Sequence, residues 1–453
     1  MEPEHPNLVI LHAHDLGRFL GCYGVDTVDT PHLDRLAGQS IRFTQAQCTS
    51  PGCSPARAAL FTGHYPHTTG VLGLTHGNFG WRMNDRVTHL ARRLADAGYH
   101  TALCGTYHED NPTDADRIRD HHGFQERVGG GQRAHEVAAS VSDWLVEGRP
   151  TDKPFYLQAG VFEPHRVGAT DPEDARRFMP FVDQHIPDPD PEEPVTIPGY
   201  LEDTPGTRRE MRELQAAVRH MDQQFGRILD ALNEQGLMDN TLILFTTDHG
   251  LALPRAKSTC YQAGLEVALM LKLPAGDGVK PSVNDQPVSH IDIVPTILER
   301  LGLPGAEHLP GQSLLSPIRN PEAGHHPFLF AEKTYHDNYD PKRSVRDARY
   351  KLIANFAYSH SFTDCSQSWQ PRAQPVVPAN PAGSYTPDFE LYDLETDPCE
   401  LVDLAEDPAY QEIQDTLIAA LGRWMRETED PLLDGPVPQA QFHRVMKRLG
   451  SCG

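Results

Sequence analysis

The alternation of strand-like and helix-like segments is the feature that most constrains the fold of this chain. From the N-terminus to about residue 300, short apolar runs alternate with longer runs of helical periodicity. This pattern predicts an α/β fold in which a mostly parallel sheet is flanked by helices. The predicted strands are 8–11, 100–104, 155–159, 241–246 and 267–271. The predicted helices include 31–36, 86–97, 134–146, 208–235 and 291–301.

A different pattern begins after about residue 321. Three short strand-like runs, 328–332, 351–355 and 389–393, are followed by a helical segment over 411–427. Short strands closed by one helix predict a smaller C-terminal α+β subdomain that carries a short antiparallel sheet. We therefore expect two domains, 1–325 and 326–453.

The bulk composition narrows the function classes. Of 453 residues, 63 are acidic and 40 are basic, which gives a formal net charge of −23. This charge argues against nucleic acid or an anionic membrane as the partner. The eight cysteines are scattered and form no C-x-x-C pair, which argues against a disulfide framework or a structural zinc site.

The N-terminal segment gives the expectation about location. It runs from MEPEHP directly into the first predicted strand, without a basic segment followed by a long apolar stretch. A signal peptide or a membrane span would require such a stretch. The cytoplasm is therefore the expected location, and a trimmed secreted or periplasmic protein stays open as the alternative.

The segment Cys53-Ser54-Pro55-Ala56-Arg57 indicates a reactive site. Proline suits the first turn of a helix, and Gly63 would end that helix. Cys53 would then lie at a helix N-terminus, where unpaired N–H groups and the helix dipole favour anions. Arg57, one turn further on, adds a positive charge. The pattern places a nucleophile in an anion-binding site, and a small buried cysteine stays open as the alternative.

Two predicted strands end in pairs of potential metal ligands. His14-Asp15 follows the first strand, and Asp248-His249 follows the fourth. Ligands gather at the carboxyl ends of the strands in open α/β sheets, so both pairs are expected near Cys53. Carboxylates suit Ca²⁺ or Mg²⁺, and imidazoles shift the preference towards Mn²⁺ or Zn²⁺. Taken singly, each pair also fits turn and capping residues.

Three further polar residues lie near predicted strand ends. His108 follows the second strand, His165 follows the third, and Lys257 lies beyond the Asp248-His249 pair. A single histidine or lysine in a loop is usually ordinary surface. Loops that converge on one face of a sheet would instead collect these side chains in a single pocket.

Together these motifs resemble a type I, formylglycine-dependent sulfatase of the alkaline phosphatase superfamily. The resemblance covers nearly the whole chain: segment 7–17, the signature 53–63, the turn 248–250, the helix 292–301 and the segment 390–404. The chain looks closest to the heparan N-sulfatase (sulfamidase) branch, through GluProHisArg at 163–166 and ArgSerValArg at 343–346. The implied fold is alkaline-phosphatase-like, with the catalytic domain at 1–325.

The resemblance also implies a role for each candidate residue. A formylglycine-generating maturation enzyme would convert Cys53 to formylglycine, whose hydrated aldehyde attacks sulfur. One divalent metal, Ca²⁺ with Mn²⁺, Mg²⁺ or Zn²⁺ as alternatives, would be held by Asp15, Asp248, His249 and His14. Arg57 would hold the nucleophile and the metal ligands in place, Lys257 would stabilise charge on the sulfate, His108 would be the base, and His165 the acid for the leaving group.

Two positions depart from the family pattern. The family usually has two adjacent aspartates where this chain has His14-Asp15, so His14 either binds the metal or orients Asp15. The lysine of the family's Gly-Lys-x-His loop is absent, with Thr106 and Tyr107 before His108 instead. The second departure removes one positive contact to the sulfate.

The function that the resemblance implies is hydrolysis of a sulfate ester or sulfamate of a carbohydrate, in glycosaminoglycan degradation. The polar and aromatic run 332–339, together with Arg343, is the expected sugar-binding surface, and the candidate residues are His336, Asp337 and Arg343. Two alternatives stay open. One is a phosphodiesterase or phosphonate monoester hydrolase on the same scaffold, and the other is an inactive protein that binds sulfated glycans.

Overall fold

The chain folds around two β-sheets of different size. The structure is a computed structural model that describes residues 5–167, 177–178, 185–320, 324–358, 373–377 and 385–450. Its strands are β1 (Asn7–Ala13), β2 (Ile41–Gln47), β3 (His100–Gly105), β4 (Glu126–Val128), β5 (Phe155–Gly160), β6 (Arg166–Val167), β7 (Arg177–Phe178), β8 (Thr241–Thr247), β9 (Leu269–Lys272), β10 (Ser282–Ser289), β11 (Leu329–Tyr335), β12 (Tyr339–Arg346), β13 (Tyr350–Asn355) and β14 (Phe389–Asp393). Its α-helices are α1 (Pro31–Ala37), α2 (Cys53–Thr62), α3 (Pro66–Thr69), α4 (Leu90–Asp96), α5 (Ala115–Asp120), α6 (Ala134–Asp143), α7 (Pro205–Glu234), α8 (Gln262–Leu265), α9 (Ile293–Leu301), α10 (Leu315–Arg319), α11 (Gln411–Glu427) and α12 (Ala440–Gly450).

The larger sheet has eight strands in the order β10-β2-β9-β8-β1-β5-β3-β4. β1 lies in its interior, parallel to β5 on one side and to β8 on the other. β9 runs antiparallel to both of its neighbours, β2 and β8. The prediction of a mostly parallel sheet is therefore confirmed.

Helices cover both faces of this sheet because both faces of its inner strands are apolar. Along β1, Val9 and Leu11 pack into one hydrophobic cluster with side chains of α6 and α7. Leu8 and Ile10 pack into a second cluster with side chains of α2, α4 and α9. Side chains alternate between the two faces of a strand, and parallel strands covered on both faces are apolar throughout.

The smaller sheet follows in the C-terminal part of the chain. Its strands pair antiparallel in the order β11-β12-β13-β14. Helix α11 covers one face, where Leu417 and Trp424 pack with Val345, Leu352 and Leu391. The predicted antiparallel sheet and its closing helix are therefore confirmed.

Strand β11 also joins the smaller sheet to the chain segments before α2 and after α3. The N–H of Glu332 donates to the carbonyl of Thr49 (2.8 Å), and the N–H of Tyr335 donates to the carbonyl of Leu72 (3.0 Å). These bonds pair part of an edge strand that would otherwise offer its backbone groups to solvent. They fix the smaller sheet against chain segments that flank Cys53.

Several elements differ from the sequence-based prediction. The sequence analysis does not predict β2, β10 or β12, whose residues mix polar and apolar side chains. It also misses α12, although Phe442, Val445, Met446 and Leu449 follow a helical period. The helix predicted over 86–97 begins only at Leu90. There the His89 Nδ1 accepts the N–H of Ala91 (3.0 Å), and this bond caps the helix.

Two further findings concern the state of the cysteines and the composition of the helices. Within the described ranges, Cys22, Cys48, Cys53, Cys104, Cys260 and Cys399 are free thiols. Across the same part of the chain, no helix combines the length and the apolar composition that crossing a membrane requires.

The close contact between the ends of β3 and β5 gives a testable prediction about stability. Gly105 has a φ of +78°, and a Cβ there would lie 2.0 Å from the carbonyl oxygen of Gly160 on β5. We expect Gly105→Ala to lower the free energy of unfolding by about 4 kcal/mol or more, because the strand ends must separate. Urea unfolding measures the loss.

The matched control for this substitution is Gly98→Ala. Gly98 also has a positive φ, +91°, but no atom lies within 4 Å of the added Cβ. The control should lose only the cost of the left-handed backbone, about 1 kcal/mol. Equal losses in the two variants would show that the contact with Gly160 is unimportant.

Candidate active site

The predicted site residues meet at the carboxyl edge of the larger sheet. His14 and Asp15 follow β1, His108 follows β3, His165 follows β5, and Asp248 and His249 follow β8. These four strands are neighbours in the order β8-β1-β5-β3. Because parallel neighbours end on the same edge of a sheet, the loops that follow them converge.

Cys53 is the first residue of α2, as the sequence pattern predicts. Gly52 precedes the helix in an extended conformation, and Gly63 ends it with a φ of +74°. All residues of α2 are buried. The Cys53 Sγ lies 3.3 Å from the His249 Nε2 and 3.9 Å from the Asp15 Oδ1. The thiol therefore lies among the ligand pairs, at the positive end of a buried helix.

Two buried ion pairs hold the aspartates. The Lys257 Nζ donates to the Asp15 Oδ2 (2.7 Å), and the Arg57 Nε and Nη2 contact the Asp248 Oδ2 at 3.1 and 3.0 Å. All four side chains are at most 1% exposed. Burial raises the pKa of Asp248, but neighbouring histidines and Arg57 lower it to about 2. Both carboxylates thus have the cationic partners that a buried charge requires.

The backbone at Asp15 is strained. Its φ of +51° lies in the left-handed region, which residues other than glycine seldom adopt. The N–H of Asp15 donates to the Asp248 Oδ1 (2.9 Å). Strain of this kind persists only where the surrounding contacts hold it. The turn after β1 therefore fixes the two carboxylates relative to each other.

The electrostatic field at Cys53 favours a negative charge. Burial raises the pKa of its thiol, but Lys257, His14 and His249 outweigh burial and hold that pKa well below the ordinary value. Cys48 is also buried, and burial raises its pKa. The difference in pKa between the two thiols comes from the positively charged groups around Cys53. Such an environment is typical of reactive cysteines.

The composition of this centre fits a divalent cation. The ligand atoms of His14, Asp15, Cys53, Asp248 and His249 all lie within 4.8 Å of one another. The His249 Nδ1–H donates to the Gly250 carbonyl (2.9 Å), and the Nε2 faces the Asp15 Oδ1 at 3.2 Å. At this distance a proton on the Nε2 or a bound cation lies between the imidazole and the carboxylate. Carboxylate oxygens and imidazole nitrogens are ligands of divalent ions.

His165 lies beside the Lys257–Asp15 ion pair. Its Nε2 is 3.5 Å from the Lys257 Nζ and 3.7 Å from the Asp15 Oδ2. Its ring stacks on Phe162, with the ring centroids 4.6 Å apart. Burial lowers the pKa of His165 to about 4, so the imidazole is neutral at neutral pH.

Two histidines that the sequence pattern does not single out contact site residues. The His76 Nδ1 lies 2.8 Å from the Nε2 of the partly exposed His108, and the two rings stack. The His12 Nδ1 lies 2.5 Å from the Arg57 Nη1. The sequence could have identified His12 as a site residue, because it precedes His14 by two positions and an extended chain places such residues on one face. His76 lies in an exposed loop, and no motif marks it.

His336 and Asp337, two predicted substrate-binding residues, lie near the start of α2. A Cβ at Gly52 would lie 3.5 Å from the Cδ2 of the buried His336. The His336 Nδ1 is 3.1 Å from the Asp337 Oδ2, and the Asp337 side chain is about half exposed. The pair therefore connects the neighbourhood of Cys53 with solvent, and its role in substrate binding stays a prediction.

Arg343, the third residue predicted to bind substrate, is enclosed in the protein, and its role in substrate binding stays a prediction. Its side chain is completely buried. The Nε and Nη2 donate to the two carboxylate oxygens of Asp430 (2.5 and 2.9 Å), and the Nη2 lies 3.3 Å from the Glu332 Oε2. The Nη1 donates to the carbonyls of Lys333 and Lys342. Arg343 thus links strands β11 and β12 to the segment after α11.

The family of the chain follows from a match to known sequences. The sequence profile of the sulfatase family matches residues 6–303, more than half of the chain. The chain belongs to the sulfatase family. It is therefore a sulfuric ester hydrolase, as the resemblance implied.

Individual relatives are similar over nearly the full length. Human N-sulphoglucosamine sulphohydrolase is 29% identical over 467 residues, which cover 95% of this chain and 92% of the relative. An ulvan-active sulfatase of Formosa agariphila is 27% identical over 488 residues, which cover 97% of this chain and 77% of the relative. The crystal structure of yidJ from Bacteroides fragilis superposes with a TM-score of 0.71 at 22% identity, covering 97% of this chain and 99% of that one, and shows a shared fold.

The enclosure of Arg343 gives a prediction about stability. Arg343→Ala leaves the carboxylates of Asp430 and Glu332 buried without their guanidinium partner. We expect the free energy of unfolding to fall by about 3–5 kcal/mol, which urea denaturation measures. The control is Arg349→Ala, because Arg349 pairs with Asp393 but is 46% exposed, and a much smaller loss is expected there. Similar losses in the two variants would contradict a structural role that is particular to Arg343.

Proposed function

We propose that this sulfatase hydrolyses a sulfate ester or a sulfamate carried by a carbohydrate, with Cys53 as the precursor of its nucleophile. The names of two relatives give N-sulphoglucosamine and ulvan as what those proteins act on. The observation that carries the proposal is the position of Cys53. Its thiol lies at the N-terminus of α2, within the cluster of metal-ligating groups, and the charge of Lys257 lowers its pKa.

The proposed chemistry at Cys53 depends on charge. Formylglycine made from Cys53 by a formylglycine-generating enzyme would supply the oxygen that attacks sulfur. Burial lowers the pKa of Lys257, but Asp15 and Cys53 raise it above its usual value, so the ammonium stays protonated. A fixed ammonium group stabilises negative charge that develops on sulfuryl oxygens. Arg57 holds Asp248 in place through its ion pair.

Proton transfer is assigned to His108 and His165. The His165 Nδ1 donates to the carbonyl of Arg166, so the Nε2 must take up a proton before it can protonate a leaving group. The Lys257 Nζ, 3.5 Å away, can donate a hydrogen bond to that nitrogen while it keeps its own proton. His108 is partly exposed and contacts His76, so it can exchange a proton with solvent and act as the base.

One divalent cation is proposed to be held by Asp15, Asp248 and His249. The His14 Nδ1 lies 2.9 Å from the Asp15 Oδ1 and 3.2 Å from the Asp248 Oδ2, a position that suits either a fourth ligand or a group that orients Asp15. A bound cation would polarise a sulfuryl oxygen and favour an ionised nucleophile. Calcium is the proposed ion, and the imidazoles also make Mn²⁺ or Zn²⁺ suitable, with Mg²⁺ as a further alternative.

The proposed domain division is 1–325 and 326–453. In this division the first domain carries the catalytic centre, and the second contributes His336 and Asp337 to the substrate pocket. The backbone bonds of β11 to Thr49 and Leu72 support it, because they hold these two residues beside the catalytic centre.

A panel of substrates tests the proposed function. We expect the mature protein to hydrolyse at least one sulfated mono- or disaccharide with a kcat/KM at least about 100-fold above that for an aryl phosphodiester. N-sulfated and 6-O-sulfated glucosamine in the same panel separate sulfamate from ester cleavage. Cys53→Ala should abolish the turnover of both. A higher kcat/KM for the diester would contradict the proposal, as would binding of sulfated sugars without turnover while peptide mass spectrometry finds Cys53 still a thiol.

The proposed role of Lys257 is tested by Lys257→Met. We expect kcat/KM for the best sulfated substrate to fall about 10²–10³-fold, because a fixed positive charge at the sulfate is lost. The control is Lys351→Met, since Lys351 is also buried but pairs with Glu400 at 3.1 Å. Rates are compared below the unfolding temperatures of both variants. Equal activity losses in the two variants would indicate a general effect of removing a buried charge.

A further inference from the structure

A second cluster of metal-ligating side chains lies outside the catalytic centre. It consists of Asp292, which precedes α9, and of His325 and His326, which precede β11. None of these three residues belongs to the catalytic cluster, and the proposed reaction does not use them. The cluster therefore needs its own explanation.

One distance within this cluster matches the spacing of ligands around a tetrahedral metal ion, and two lie in the range of hydrogen bonds. The His326 Nε2 lies 2.8 and 3.0 Å from the two carboxylate oxygens of Asp292, and the His325 Nε2 lies 3.3 Å from the Oδ2. Around a tetrahedral zinc ion with bonds of about 2.0–2.1 Å, neighbouring ligand atoms are separated by about 3.3 Å. A hydrogen bond from N–H to oxygen is typically shorter, about 2.9 Å. The His325 contact therefore matches two ligands of one ion better than a hydrogen bond.

Backbone N–H groups use only part of the hydrogen-bonding capacity of the Asp292 carboxylate. The N–H of Ser289 donates to the Oδ2 and the N–H of Gln312 donates to the Oδ1, both at 2.8 Å. A carboxylate oxygen has two lone pairs, so one remains on each oxygen. The two histidines are the side-chain partners that contact these oxygens.

The charge of Asp292 also calls for a cation. The carboxylate is completely buried, and within the described residues its ion-pair partners are the two histidines, with no lysine or arginine among them. A buried charge is paired or binds a metal. A metal ion would neutralise it without requiring either imidazole to be protonated.

The third cluster of this kind in the described chain shows the contrast. His67, Glu332 and Asp430 also bring their ligand atoms together. Arg343 lies against both carboxylates of that cluster and already supplies the positive charge. Among the residues that the structure describes, no guanidinium pairs with Asp292, and the cluster is partly exposed at His326, whose side chain is 10% exposed. This partial exposure gives a metal ion a route from solvent.

We propose that Asp292, His325 and His326 bind a divalent transition-metal ion, with zinc as the ion that fits best. Two imidazole nitrogens and one carboxylate oxygen are ligands that zinc prefers, and a water molecule completes four-coordination. The ion ties the segment before β11 to the start of α9. It therefore connects the smaller sheet to a helix that packs on the larger one.

Zinc binding by the full-length protein tests this proposal. The protein is freed of metal with a chelator, saturated with Ca²⁺ and dialysed against Zn²⁺, and bound zinc per chain is measured together with the thermal unfolding temperature. The key variant is His325→Gln with His326→Gln, because glutamine still donates a hydrogen bond to Asp292 but is a poor zinc ligand. We expect it to bind one zinc fewer than the wild type and to lose the zinc-dependent rise in unfolding temperature.

Two controls separate this site from other zinc sites. His308→Gln removes a histidine that is 82% exposed, and Asp248→Asn alters the catalytic centre. Both should keep the zinc-dependent rise in unfolding temperature. Wild-type zinc binding in the double glutamine variant would overturn the proposal. If that variant fails to fold, His326→Gln alone is measured. An unchanged zinc content in this single variant would also overturn the proposal.

Discussion

The arrangement of the active site depends on keeping two ionised carboxylates buried side by side. Asp15 and Asp248 are each held by a buried cation, Lys257 and Arg57 respectively. Removing one partner of such a pair leaves an uncompensated charge in the interior, at a cost of about 3–5 kcal/mol. This requirement explains how a protein with a net charge of −23 presents a positive environment to an anion. The cations are held locally, around the start of α2, and do not come from the overall charge.

The position of these groups follows from the order of the strands. Parallel strands β8, β1, β5 and β3 lie next to each other, so the loops after them deliver aspartates and histidines to one edge. Helix α2 follows β2 in the chain, and its N-terminus places Cys53 at the same edge. Local features then set the fine geometry. The left-handed backbone of Asp15 directs its N–H to Asp248, and this bond holds the two carboxylates together.

The sequence predicts the parts of this structure that depend on local patterns. Apolar runs locate β1, β3, β5 and β8 to within a few residues, and helical periodicity locates α11 over 411–427. Strands β2 and β10 escape prediction because their polar residues break the apolar pattern, and only pairing within the sheet defines them. Arg343 shows the same limit among candidate functional residues. Its positive charge and its polar neighbours in the sequence suggest a substrate-binding residue. The ion pair that encloses it, however, is formed with Asp430, which is distant in the chain.

The complete burial of α2 has a consequence for how an active molecule arises. A side chain that is 2% exposed, as Cys53 is, cannot enter the active site of a second protein. The conversion of Cys53 that we propose must therefore take place on a chain that has not yet folded around it. Folding and modification then compete in time, and whichever is faster decides the fraction of molecules that become active. A substitution that accelerates folding of this region would lower the specific activity without changing any residue at the site.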